Sequence, residues 1–143
     1  MNIPQLLSLC LFLVSVVVFW QAGKNSRHSG FYTDTHVLWP LGVFVWGDGL
    51  VLAPFWAVSS VLFLFLDPLW ILRYLLLFFT IRSVVEVLYW LAHQFSSNEY
   101  QAPLFRRYAW IKQNDSAILY QLFHTCAAFL GLFFFVYSFF VSP

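Results

Sequence analysis

The sequence predicts an all-α integral membrane bundle of four transmembrane helices, with its N- and C-termini on the same, outer side. Three observations predict it. Hydrophobic residues make up 62% of the 143 and charged residues only 9%, against about 25% charged in soluble domains, so charge is too scarce to coat a surface facing water. The apolar residues gather into four runs, each at least as long as the roughly 20 residues that cross a bilayer. Polar and basic residues collect between the runs. This composition excludes a disordered chain, a disulfide scaffold and a nucleic-acid binder, and the partner it requires is the lipid bilayer. Helices at about residues 3–22, 40–66, 69–95 and 116–141 fill one domain, residues 1–143, and leave no room for a soluble catalytic domain.

The first run, residues 3–22, has no Lys or Arg before it, whereas Lys24 and Arg27 follow it. That order predicts a retained helix rather than a secretory leader. Ser8 and Ser15 mark its only polar face, so it is expected to be peripheral and lipid-facing. Residues 23–36 form a polar connection carrying His28 and His36. The second run opens at Trp39-Pro40, where a proline in the first helical turn loses no needed donor. It contains Trp46-Gly47-Asp48-Gly49 and Pro54, and Asp67-Pro68 ends it. The third run carries Arg73, Arg82, Glu86 and His93, and its junction with the second reads as a tight helical hairpin. Residues 96–115 are basic and aromatic, with Arg106, Arg107 and Lys112, and suit the membrane surface. Asn114-Asp115-Ser116 offers caps for the fourth helix. Trp39, Trp70, Trp90 and Trp110 read as interface anchors.

Orientation follows from the basic residues. The first and third connections hold Lys24, Arg27, Arg106, Arg107 and Lys112, which places them in the cytoplasm. Arg73 dissents, and is expected to snorkel to the outer interface. Cys10 and Cys126 both fall in apolar runs, and the chain has no CxxC. They are therefore read as small embedded side chains, not as a disulfide or thiol redox centre.

The candidate site comes from charge where charge is expensive: an ionised residue at mid-membrane costs about 2.5–3.5 kcal/mol on insertion scales. Arg82, Glu86, Tyr89 and His93 fall at helical spacing on one face of the third helix. Counting residues back from the connections puts Asp48 and His124 at the level of Glu86. The ligand- or ion-binding set is therefore Asp48, Arg82, Glu86, Tyr89, His93, Gln121 and His124, with no catalytic residue assigned. Glu86 and His93 are seven residues apart, unlike the Glu-x-x-His pairs of carboxylate-bridged bundles, so neither a metal nor any other cofactor is expected. On the fourth helix, Ala117, Gln121, His124, Ala128 and Gly131 make a small-and-polar stripe suited to close packing on the third.

The leading reading is a small multi-pass, transporter- or channel-like membrane protein whose polar intramembrane site handles a proton, an ion or a small polar solute. Embedded carboxylates and histidines are common in such pathways. Two alternatives stay open. One is a non-catalytic subunit or assembly factor in which the polar layer is a structural salt-bridge network. The other is a membrane enzyme acting on a lipid or isoprenoid, which ranks last because no nucleophile motif supports it. The apolar stretch 133–140 leaves room for a homo-oligomer or a larger membrane complex.

Overall fold

The computed structural model describes residues 3–27, 30–95, 108, 110 and 112–141. Among them the chain is all-α: α1 (Ile3–Arg27), a 3-10 helix (His36–Leu41), α2 (Trp46–Leu62), α3 (Pro68–Gln94) and α4 (Gln113–Tyr137). Three segments are long and apolar enough to cross a membrane, Pro4–Arg27, Pro68–Gln94 and Asp115–Tyr137, whereas α2, with 17 residues, is shorter. The helices pair within two compact units, Met1–Asp67 and Pro68–Pro143.

In the first unit α1 packs on α2. Its buried positions are Ser8, Ser15, Val18 and Ala22, which recur at helical spacing along one face. Ala22 and Val18 lie against Gly49 of α2. The serine face expected to mark a peripheral helix is thus its packing face, with the remaining apolar residues mostly exposed. Small hydroxylated residues let two backbones approach closely, and Ser15 and Ser59 return their hydroxyls to the carbonyls of Leu11 and Phe55, each at 2.7 Å. Helix α1 also continues past residue 22 to Arg27, with Lys24 and Arg27 in its last turn, where cations favour the helix dipole.

The second run does not begin as an α-helix at residue 40. Pro40 lies inside the 3-10 helix, which closes on Gly42 at φ 79°, a left-handed conformation that residues with a Cβ rarely adopt. The chain then runs back beside residues 31–35. Thr35 N–H donates to the Phe44 carbonyl at 2.9 Å, and Gly47 N–H to that of Phe31 at 2.9 Å. The indole of Trp56 donates to the Leu41 carbonyl at 2.9 Å, tying this folded connection to α2.

In the second unit α3 packs on α4. Trp90, Ala117 and Tyr120 form its buried apolar cluster, so Trp90 is a core residue of this unit. Thr80 sits against Gly131. Arg73 is buried against the end of α4: Nε donates to Ser138 Oγ at 3.2 Å and Nη2 to the Ser138 carbonyl at 2.8 Å. Its guanidinium also lies 4.8 Å from the Trp70 ring and 4.1 Å from the Phe139 ring. Helix α4 starts at Gln113, three residues before Ser116, so Asp115 falls in its first turn. The expected surface segment lies mostly outside the described residues, as do Arg106, Arg107 and His28.

Candidate functional site

Asp48 is the third residue of α2, and its position fixes its contacts. Oδ2 accepts the backbone N–H groups of Phe44 at 3.0 Å and Val45 at 3.1 Å. Helix N-termini leave such donors unpaired and favour a negative charge. Asp48 therefore serves as one half of a capping box, the half that reaches back from the third position; Val45 has no polar side chain to complete the other. Replacing Asp48 with alanine should lower stability by about 1 kcal/mol, the usual worth of a cap. Asparagine, which keeps an acceptor oxygen, should cost less. Thermal unfolding in detergent measures both, and an unchanged Asp48→Ala midpoint would contradict the capping role.

The other candidates lie on α3 and α4. Arg82 Nη2 is 3.0 Å from Glu86 Oε1, an i,i+4 pair on one helix, with both side chains about one-fifth exposed. The other carboxylate oxygen, Oε2, accepts the Trp90 indole N–H at 3.2 Å. Tyr89 and His93 stack with ring centroids 6.0 Å apart, and Trp90 meets His93 edge-on at 5.4 Å. His93 is buried. From α4, Tyr120 packs on Trp90 at 5.0 Å and on His124 at 5.7 Å. Gln121 donates to the Gln94 side-chain oxygen at 3.1 Å.

The register of the pair sets the depth of these groups. Arg73 meets Ser138, Thr80 meets Gly131 and Trp90 meets Tyr120, so each step forward on α3 is close to one step back on α4. On that register Glu86 lies level with residues 124–125, which brings His124 to the depth of the ion pair. Arg82, Glu86, Tyr89, Trp90, His93 and Gln94 then mark a polar and aromatic track along α3, about 18 Å long by helical rise. The Arg82–Glu86 pair lies within α3. Trp90–Tyr120, Gln94–Gln121, Thr80–Gly131 and Arg73–Ser138 join α3 to α4.

Sequence reasoning assigned Trp90 and Tyr120 no part in this layer. The signal for Trp90 was present, since it follows Glu86 by four residues on the Arg82 face. Tyr120 likewise precedes His124 by four. Among the described residues no three His, Cys, Asp or Glu side chains converge as a metal site requires. The chain matches no protein-family model, no curated protein and no solved structure.

Proposed function

We propose that the chain is a multi-pass membrane protein with all four helices embedded and both termini outside, and that the α3–α4 polar layer handles a proton, an ion or a small polar solute. The observation that carries this reading is the position of the Arg82–Glu86 pair. Arg82 is the 15th and Glu86 the 19th residue of a 27-residue helix apolar enough to cross a membrane, where embedded charge is costly. Charge retained at that cost favours a functional role. His124 at the same depth and His93 two turns further along supply further groups able to take up and release a proton, so the proton is the first candidate. The cytoplasmic placement of the first and third connections draws support from Lys24, Arg27 and Lys112 at the helix ends that border them.

The test is proton flux in liposomes containing the full chain and a pH-sensitive dye. Wild-type protein should collapse an imposed pH gradient at least about tenfold faster than protein-free vesicles, a difference of about 1.4 kcal/mol in barrier. Glu86→Gln should return the rate to background while keeping an acceptor for Trp90 and hence most of the stability. Wild-type flux at background would overturn the proton reading. The subunit alternative draws on a different observation, that both Glu86 oxygens are engaged. It expects Glu86→Gln to destabilise the protein and mild detergent to recover it with other membrane proteins.

A further inference from the structure

Arg73 carries a charge that its partners only partly offset. It is 6% exposed, yet both of its hydrogen bonds go to neutral oxygens, Ser138 Oγ and the Ser138 carbonyl. Among the described residues it pairs with no carboxylate. Ser138 is the C-cap of α4, and a helix C-terminus supplies about half a negative charge. About half of the guanidinium's charge is thus left without a counterpart. Donors are left over too. A guanidinium holds five N–H groups in a planar fork, and Ser138 takes two of them, along the Nε–Nη2 edge. Nη1 meets no acceptor among the described residues and is not sealed from the surface. Capping α4 explains the bonds to Ser138 and leaves the Nη1–Nη2 edge without a role.

The surroundings of that edge favour a particular anion. Arg73 is the sixth residue of α3, about 8 Å from the start of the helix by its rise, and helical side chains lean toward the N-terminus. Its head lies against Trp70, in the first turn, where the helix dipole is also positive. The Trp70 and Phe139 rings that flank the guanidinium are each about half exposed, and Leu72, Phe140 and Val141 beside them in the sequence are exposed and apolar. A small hydrated anion would find no further polar contact among these side chains, whereas a lipid tail would lie against them. We propose that Arg73 binds the phosphate of a phospholipid. The Nη1–Nη2 edge would donate two parallel hydrogen bonds to the phosphate oxygens, the geometry in which arginine holds phosphate best, with the acyl chains on the exposed apolar residues. The site is separate from the Arg82–Glu86 layer and does not depend on its role.

The probe is a phosphatidylglycerol with a photoreactive diazirine close to its glycerol backbone, added to delipidated full-length protein in dodecyl maltoside, with crosslinked peptides mapped by mass spectrometry. Labelling should concentrate on residues 70–73 and 137–141. Unlabelled phosphatidylglycerol should suppress it at a concentration about tenfold or more below that needed of a diacylglycerol with the same chains, and inorganic phosphate at the lipid's concentration should not compete. Arg73→Gln, which removes the charge, should abolish the preference for phosphatidylglycerol over diacylglycerol. If that variant does not fold, the contrast between the two lipids in the wild type decides alone. Equal competition by diacylglycerol would mean apolar contact only and would overturn the proposal. So would labels spread evenly along α3 and α4, competition by inorganic phosphate as strong as by the lipid, or a folded Arg73→Gln protein that keeps the preference.

Discussion

Gly131→Val is expected to reduce stability by about 3 kcal/mol, the upper part of the usual range for overpacking. A Cβ at residue 131 would run into the Thr80 hydroxyl across the α3–α4 contact. Thr80 cannot turn away without cost, because its hydroxyl donates to the Leu76 carbonyl at 2.7 Å and its χ1 is stiff. Gly131→Ala gives the sharper comparison. Alanine is the better helix former by about 1 kcal/mol, so on intrinsic grounds the change would stabilise α4. Here it should destabilise, and adding Thr80→Ala should restore most of the loss. Unfolding of the two single variants and the double variant in detergent measures the coupling. A Gly131→Ala protein more stable than wild type would show that the two backbones do not meet at this point.

The second large effect is at Arg73. Truncation to alanine removes two charge-assisted hydrogen bonds to Ser138 and the stacking of the guanidinium on Trp70 and Phe139. Hydrogen bonds to charged groups are worth about 1.5–3 kcal/mol and cation–π contacts about 0.5–2, so a loss of about 3–4 kcal/mol is expected. Lysine should recover less than half of it, because a point charge cannot reproduce the planar fork that reaches both Ser138 oxygens while lying on the rings. Methionine separates packing from charge. If Arg73→Met is as stable as the wild type, volume alone holds this end of the α3–α4 pair and the hydrogen bonds contribute nothing. Reversible unfolding in a mixed detergent reads all three.

The second unit was the more legible in the sequence. The spacing of Arg82, Glu86, Tyr89 and His93 identified one face of α3, and Ala117, Gln121 and Gly131 marked the surface of α4 that packs against it. Both follow from helical periodicity, which is local. The charge pattern did not reveal what Arg73 binds, because its partner Ser138 is 65 residues away and nothing near Arg73 announces it. The start of α2 was misplaced for a related reason. Pro40 is compatible with a helix start, but the connection folds back so that Thr35 bonds Phe44 and Gly47 bonds Phe31, and those pairings are not periodic. Asp48 was read as an embedded charge, whereas its position three residues into α2 makes it a cap. A valine at the N-cap hides that signal, since the hydroxyl or amide that usually marks a helix start is missing.

The bond between Arg73 and Ser138 also bears on how the chain is made. Arg73 leaves the ribosome long before its partner: at about 5–20 residues per second, the 65 intervening residues take roughly 3–13 s to synthesise. Throughout that interval the guanidinium has neither the Ser138 oxygens nor the Phe139 ring, and it must stay hydrated or among lipid headgroups. Helix α3 can therefore reach its final seat only when α4 is delivered. Biogenesis of the α3–α4 pair is a two-helix event, and a nascent chain stopped before residue 138 should leave α3 exposed to quality-control proteases.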